Sequence, residues 1–305
     1  MFGKMMLTCG VMLTMIASVM GQETATALGR PMLVADYGGN KVAMVDAAGK
    51  IIWQHAAVNA QDVWRLPNGN ILFSHLHGAM EVTADDKKQV VWEYRTEAPN
   101  EVHNCQPLPN GHVLIGECGS CRLIEVDRQG HIAKEIKFQT ATTRVHLQIR
   151  LARKTPAGTY LVGFYHEGVA REFDSEGNII RTFKGVRNVW GAIRLPNGNT
   201  LLSCGDGHTL IEIDPDDKVV WQLNENDLPD NPLRFVAGVQ RLPNGNTIVC
   251  NWLGHGFTGK QPQILEVTPD KHVIRRMFDN TQFKTPSHIM LLDVPGDVTR
   301  GEIWR

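Results

Sequence analysis

A four-residue turn motif returns along the chain at a nearly constant spacing. Leu-Pro-Asn-Gly occurs at residues 66–69, 108–111, 195–198 and 242–245, and a degenerate copy, Thr-Pro-Ala-Gly, occupies 155–158. The glycines of successive copies are 40 to 47 residues apart. A repeat of this length is close to the period of β-propeller blades. The spacing therefore predicts a ring of similar β units and argues against a helical fold.

Each unit also shows the same order of strands. A short apolar strand leads into the turn, and a β-rich second strand follows it, as in HVLIG, TYLVG, NTLLS and NTIVC. After a polar loop comes a third strand such as LIEVD or LIEID, and a second turn leads to a fourth strand such as VVWEY or VVWQL. Alternating strands with tight turns predict four-stranded antiparallel blades. We expect the glutamates that recur in the third strand to serve blade packing: Glu81, Glu125, Glu172, Glu212 and Glu266.

Two terminal pieces account for a sixth blade. The five complete blades are predicted over about 61–96, 101–138, 144–184, 188–224 and 235–279. Residues 31–54 supply only the last three strands of a unit, and residues 287–293 supply only a first strand. Pairing between these pieces would close the ring and remove two exposed sheet edges. The sequence thus predicts an all-β fold, one six-bladed β-propeller domain over residues 22–305.

The repeats resemble those of a known superfamily. Units such as LPNGNTLLSCGDGHTLIEIDPDDKVVWQL and DAAGKIIWQ are similar to repeats of quinoprotein-like propellers, and most of all to those of secreted arylsulfotransferase-type propellers. The resemblance covers nearly the whole chain after residue 21. Its motifs are mostly turn and packing residues, so it implies the fold, while function must come from the site. Pyrroloquinoline quinone is not implied, because the additional motifs of the dehydrogenases that use it do not occur here.

The first 21 residues differ from the rest of the chain. Lys4 is followed by an apolar run, and Val19-Met20-Gly21 places small or neutral residues before Gln22. This pattern is typical of a secretory signal peptide and is too short for a membrane span. We therefore expect an exported protein, periplasmic or extracellular, with no membrane span. The formal net charge is −1 with no block of like charges, which gives no basic stripe for nucleic acid.

The polar residues that flank the repeated strands change from blade to blade. Counting back from each turn aligns the starts of the innermost strands as His103, His146, Trp190, Ala237, Gln61 and His288. The ends of the second strands align as Asp36, His75, Glu117, Phe164, Cys204 and Asn251. In a propeller, both sets of positions converge on one mouth of the central channel. Concave mouths with titratable groups are the usual ligand sites.

Three histidines predicted at this mouth are the candidate catalytic residues and the candidate metal ligands: His103, His146 and His288. Imidazoles joined by a carboxylate suit a divalent transition metal, which would acidify a carbon next to a carboxylate or activate a water. The candidate ligand-binding residues are Asp36, His75, Glu117, Trp190 and Asn251, with Arg144 and Arg234 just before their innermost strands. We expect a small anionic or carbohydrate ligand and a metal-assisted lyase or hydrolase.

Other interpretations fit the same residues. The mouth could be a non-catalytic surface that binds a glycan or a protein partner. The histidines could also do no more than hydrogen-bond water in the channel. The resemblance to arylsulfotransferase-type propellers implies group transfer, with an axial histidine, here His103, as the nucleophile. The sequence departs from that family because no arginine stands at the end of any second strand.

Overall fold

The strands form six antiparallel sheets of four strands each, and the predicted fold class is confirmed. The computed structural model describes residues 25–305, so the leader predicted over residues 1–21 lies outside the described residues. Within the described part, no helix is long and apolar enough to cross a membrane. The first three strands along the chain are β1 Met32–Asp36, β2 Lys41–Val45 and β3 Ile51–Ala56.

Five blades follow in chain order. Blade 1 contains β4 Val63–Arg65, β5 Ile71–His75, β6 Gly78–Val82 and β7 Val90–Arg95. Blade 2 contains β8 Glu101–Pro107, β9 Val113–Cys118, β10 Arg122–Val126 and β11 Ile132–Lys137. Blade 3 contains β12 Ile149–Lys154, β13 Tyr160–Phe164, β14 Val169–Phe173 and β15 Ile179–Lys184. Blade 4 contains β16 Val189–Arg194, β17 Thr200–Cys204, β18 Thr209–Ile213 and β19 Val219–Asn224. Blade 5 contains β20 Val236–Arg241, β21 Thr247–Asn251, β22 Ile264–Val267 and β23 Val273–Met277.

The sixth blade closes the ring as the sequence predicts. Its innermost strand is β24, Pro286–Leu291, which pairs antiparallel with β1 and places Val34 opposite Ile289. Contacts between innermost strands run in a complete circle through β4, β8, β12, β16, β20 and β24. The pairing of two chain ends in one sheet leaves no first or last blade with an open inner edge.

The repeated turn has a local cause. In the first copy, Gly69 N–H donates to Leu66 O at 2.9 Å and Leu66 N–H donates to Asn70 O at 2.9 Å. Proline sets the φ of the second turn residue, and the final glycine takes a left-handed φ. That φ lies between +82° and +88° in all five copies, at Gly69, Gly111, Gly158, Gly198 and Gly245. A side chain would be strained in this conformation, which explains why the glycine persists even in the degenerate copy.

The recurrent third-strand glutamates join neighbouring sheets, as predicted. Lys154 Nζ lies 2.6 Å from Glu125, and Arg194 Nη2 lies 2.6 Å from Glu172. In both pairs the cation comes from the innermost strand of the next blade in the chain. Each glutamate side chain is almost fully buried. These ion pairs fix the stacking of the blades and leave the mouth of the channel for other groups.

Candidate functional site

Innermost strands share an irregularity near the start, where a residue is left unmatched against the second strand. His103 is the extra residue in β8, and Trp190 is the extra residue in β16. In β12 the irregularity falls between Ile149 and Ala152 and contains Arg150. A bulge of this kind re-aims a side chain relative to the pleat of the sheet. It brings polar residues from different blades to one mouth.

This register corrects the predicted position of His146. That residue does not begin an innermost strand but lies in a 3₁₀ turn, Val145–Leu147, that precedes β12. Arg150 stands five residues before the turn motif at Thr155, just as His103 stands five residues before Leu108. Arg150 therefore occupies the position equivalent to His103. Arg150 is not among the residues predicted for the site, although its spacing from the turn motif contained the signal.

Glu101, His103 and His146 nevertheless form one cluster at the mouth. Glu101 Oε2 lies 2.8 Å from His103 Nε2 and 2.7 Å from His146 Nδ1. The two imidazole centroids are 5.3 Å apart. One ligand atom from each of the three residues lies within 4.8 Å of the others, and no other group in residues 25–305 meets that spacing. Glu101 was also missed, although it stands two residues before His103 in the same strand.

The cluster has the protonation states that a cation needs. His103 is fully buried, and burial together with the positive charge of Arg150 lowers its pKa to about 4. Burial alone would raise the pKa of Glu101, but hydrogen bonds to His103 and His146 hold that pKa well below the ordinary range. At neutral pH, His103 is therefore neutral and Glu101 is ionised. A neutral imidazole and a carboxylate are the forms that bind a metal.

Arg150 lies directly beside this cluster. Its Nη1 donates to His146 O, to Ile149 O at 3.1 Å, and approaches His103 Nδ1 to 3.2 Å. The guanidinium carbon lies 4.4 Å from the ring centroid of Tyr165 and 5.4 Å from that of Trp190. These cation–π contacts orient the guanidinium against the aromatic side of the mouth.

Two half-buried aromatic residues cover the cluster from the loops. The ring of Tyr37 lies 6.5 Å from that of His146 and 5.9 Å from that of Trp252. Burial raises the pKa of Tyr37, and the charge of Glu101 raises it further against the opposing effect of Arg150. The phenol therefore remains protonated at neutral pH and is available as a proton donor.

His288 does not join the other two histidines, which corrects the predicted triad. In β24 the unmatched residue is Ser287, and His288 pairs with Ala35 one position further along. A shift of one residue turns a side chain to the other face of a strand. His288 Nδ1 instead lies 2.9 Å from Asp62 Oδ1, and both side chains are fully buried.

Asp62 is the centre of a second buried cluster. Arg153 forms a bidentate pair with Asp62, at 2.8 Å and 3.1 Å, and Arg305 Nη2 approaches the same carboxylate to 3.4 Å. Arg305 and Arg153 both stack on Trp64. Arg153 follows Arg150 by three residues in β12, so it lies about 10 Å further along that strand. The second cluster is thus inside the channel rather than at the mouth.

Three predicted ligand residues hold the scaffold instead. Asp36 accepts hydrogen bonds from the backbone N–H groups of Lys284 and Thr285 at 3.0 Å and 2.8 Å. Glu117 accepts from Tyr94 Oη and Arg122 Nε, both at 2.5 Å. The amide of Asn251 bonds only to backbone groups of the loops around it, including Pro232 O and Pro262 O. These contacts use the polar atoms that a ligand would need.

The remaining predicted ligand residues lie in varied surroundings. Trp190 packs in the aromatic side of the mouth, 5.5 Å from Phe235, and its Nε1–H has no protein partner. His75 is half-buried in blade 1 and is not part of the Glu101 cluster. Arg144 is exposed on the loop before β12. Arg234 donates from Nη1 to Leu233 O at 2.8 Å and to Asn231 Oδ1 at 3.2 Å.

Comparisons with known proteins agree with the propeller frame. The family model described as Mal s 1 allergenic protein-like matches residues 40–272. A search of curated proteins gives no match. Among solved structures, a Bacteroides caccae protein of unknown function is 29% identical with a TM-score of 0.78. That alignment covers 86% of this chain and 98% of the other.

More distant structures share only the architecture. The virginiamycin B lyase of Staphylococcus aureus, solved as an inactive variant with quinupristin, is 13% identical with a TM-score of 0.58, over 85% of this chain and 86% of that one. The hydrazine synthase of Kuenenia stuttgartiensis is 14% identical with a TM-score of 0.57, over 83% and 81% of the two chains. At such identities the likeness shows the fold alone.

Proposed function

The chain belongs to the Mal s 1 allergenic protein-like family, and we propose that it is a metal-dependent enzyme, a lyase or hydrolase acting on a small anionic or carbohydrate substrate. One observation carries the proposal: a carboxylate and two imidazoles place ligand atoms within 4.8 Å of one another at the mouth. Two histidines with one carboxylate are a recurrent ligand set for divalent transition metals. Glu101, His103 and His146 would hold the metal.

The surroundings of His103 fit a metal ligand. Its Nδ1 lies 2.9 Å from Ile149 O, while Nε2 faces Glu101 and His146. In the tautomer whose Nδ1 donates to the carbonyl, Nε2 carries a lone pair beside Glu101 Oε2, so His103 and Glu101 would both be available to hold a divalent metal. Ligating histidines are commonly fixed in this way by a carbonyl partner. The His146 side chain is 43% exposed, which keeps the site open toward the mouth.

The chain's own groups supply the rest of the chemistry. A bound divalent metal would stabilise developing negative charge or lower the pKa of a water. Tyr37, protonated at neutral pH and 6.5 Å from the ring of His146, would deliver a proton to a leaving group at the mouth. Its position between His146 and Trp252 also narrows the access of water to the cluster.

A nucleophilic role for His103 fits the contacts less well. The side chain of His103 is 0% exposed, so neither of its ring nitrogens reaches the open part of the mouth. An attacking imidazole needs a free nitrogen that reaches the substrate. The group transfer implied by the arylsulfotransferase resemblance is therefore not favoured.

Metal titration of the purified protein tests the proposal. Protein stripped with EDTA is titrated with Zn²⁺ and Mn²⁺ by calorimetry, and we expect one site per chain. Replacing Glu101→Gln or His103→Ala should weaken binding at least about 10-fold, because each removes a ligand. The control is His131→Ala, an exposed histidine on the blade 2 turn, which should leave affinity unchanged. Equal affinity in Glu101→Gln and the wild type would refute the metal site.

We also propose that the protein acts outside the cytoplasm. The support is the leader pattern over residues 1–21 in the sequence. Cell fractionation, with N-terminal sequencing of the mature chain, checks this, and a cytoplasmic protein that retains Met1 would contradict it.

A further inference from the structure

Arg150 is a buried cation without a carboxylate partner. The residue is 3% exposed, and within residues 25–305 no carboxylate forms an ion pair with it. The other two arginines buried in the channel, Arg153 and Arg305, both pair with Asp62. The nearby carboxylate of Glu101 is instead bonded to His103 and His146. A buried charge without a partner is costly, and such a group marks the place of a missing anion.

The contacts of Arg150 leave one part of its fork free. Its hydrogen bonds to protein all come from Nη1. The packing against Tyr165 and Trp190 fixes the orientation of the guanidinium. The N–H groups of Nε and Nη2, which lie side by side in the guanidinium plane, therefore remain for a ligand. Two parallel N–H groups match the two oxygens of a planar oxyanion.

The unpaired Nε and Nη2 groups of Arg150 lie at the same mouth as the Glu101, His103 and His146 cluster. Arg150 Nη1 is 3.2 Å from His103 Nδ1, and the ring centroid of Tyr37 is 6.5 Å from that of His146. An anion on Arg150 would therefore lie beside Glu101, His103 and His146. A substrate could then be held at one end by the guanidinium while its reacting atoms face the cluster.

From this arrangement we infer that Arg150 binds a carboxylate group of the substrate, so that the substrate class is a small carboxylic acid or an acidic sugar. The inference deepens the proposed function, on which it rests for the identity of the site. The single uncompensated charge of Arg150 matches a singly charged carboxylate better than a doubly charged phosphoryl group. A planar carboxylate can also accept a hydrogen bond from each of the two free N–H groups of Arg150, on Nε and on Nη2.

Small anions test the inference without knowledge of the substrate. Metal-free wild-type protein is titrated with acetate, with its neutral analogue acetamide and with inorganic phosphate, at constant ionic strength with chloride as the background anion. Binding is followed by calorimetry and by tryptophan fluorescence, because Trp190 contacts Arg150. We expect saturable binding of acetate, none of acetamide and weaker binding of phosphate. Arg150→Gln should weaken acetate at least about 10-fold, since charge-assisted hydrogen bonds are lost.

Two further variants serve as controls for charge and for non-specific anion binding. Arg150→Lys keeps the charge but loses the planar fork, so its acetate affinity should be intermediate. Arg95→Gln removes an exposed arginine at the end of β7 and should change nothing. Absence of saturable acetate binding in the wild type, equal affinity in Arg150→Gln, or tighter binding of phosphate would each overturn the inference. Zn²⁺ affinity is measured on the same variants: Arg150→Gln should retain it, so failure of the metal site and failure of the anion site are separable.

Discussion

Two clusters near the channel axis combine a carboxylate with histidine and arginine side chains, but they differ in how exposed those side chains are. Asp62, His288, Arg153 and Arg305 form one, and Glu101, His103, His146 and Arg150 form the other. In the first, the side chains of Asp62, His288 and Arg305 are 0% exposed, and one carboxylate faces two guanidinium groups. In the second, the His146 side chain is 43% exposed, and no carboxylate among residues 25–305 forms an ion pair with Arg150.

The difference shows that residue type alone does not identify a functional site. His288 and His103 are both buried on innermost strands, and the pKa of each is lowered to about 4. Yet Asp62 pairs with Arg153 and Arg305 and bonds to His288, while the Glu101 cluster keeps ligand atoms and a cation at the mouth. A lowered histidine pKa occurs in both clusters and does not distinguish them. They differ in exposure to the mouth and in whether the buried arginine has a carboxylate partner.

The largest effect is expected from a substitution in the Asp62 cluster. Asp62→Asn should lower the free energy of unfolding by about 3–5 kcal/mol, because it leaves Arg153 and Arg305 buried without an anion. Glu101→Gln is the matched change at the mouth, where the carboxylate is 18% exposed, and its loss should be smaller by at least about 2 kcal/mol. Urea unfolding of both variants measures the difference. Equal losses would mean that the two clusters have the same structural role.

An intermediate effect is expected from pH. Burial lowers the pKa of both His103 and His288 to about 4, below the ordinary unfolded value near 6.5. Between these values the unfolded chain binds protons that the folded chain does not, so stability falls as pH falls from about 6.5 to 4. Both histidines contribute to that fall in the same direction.

Urea unfolding at a series of pH values checks this dependence. His288→Gln should remove about half of the fall, because one of the two buried imidazoles is then absent. Stability that stays constant between pH 7 and 4 would show that neither imidazole is held neutral by the fold.

The smallest effects separate stability from ligand binding. His146→Gln should change the free energy of unfolding by no more than about 0.5 kcal/mol, because the side chain is 43% exposed and lies on a turn. It should nevertheless weaken Zn²⁺ binding at least about 10-fold. His288→Gln should show the reverse, with a loss of about 1–3 kcal/mol and unchanged Zn²⁺ affinity. Loss of metal binding in His288→Gln alone would reverse the roles given to the two clusters.

The propeller frame follows from local sequence features. A proline, an asparagine and a left-handed glycine define each turn within four residues, and strand alternation defines the faces beside it. The incomplete units at the two ends of the ring could be matched by counting strands, so the pairing of β1 with β24 was predictable. These features depend on residues that are close together in the sequence, so a single sequence is enough to predict them.

The membership of the site was predictable only in part. His103 and His146 were named from the sequence, while Glu101 and Arg150 were not, and His288 was placed with the wrong partners. A one-residue irregularity in five of the six innermost strands decides which side chains face the mouth, and a 3₁₀ turn, not a strand, carries His146. The five-residue spacing to the turn motif contained the signal for Arg150, but residue types alone do not show where a bulge shifts the register.

The sequence by itself determined the number of blades, the turn chemistry, the closure of the ring and the presence of polar groups near its axis. Only the tertiary structure decided that Glu101, His103 and His146 meet, that Asp62 takes His288 and two arginines, and that Arg150 has no such partner. The physical reason is that charge pairing across an axis joins residues from different blades. It depends on distances of a few ångströms between strands far apart in the chain, and these exist only once the ring has closed.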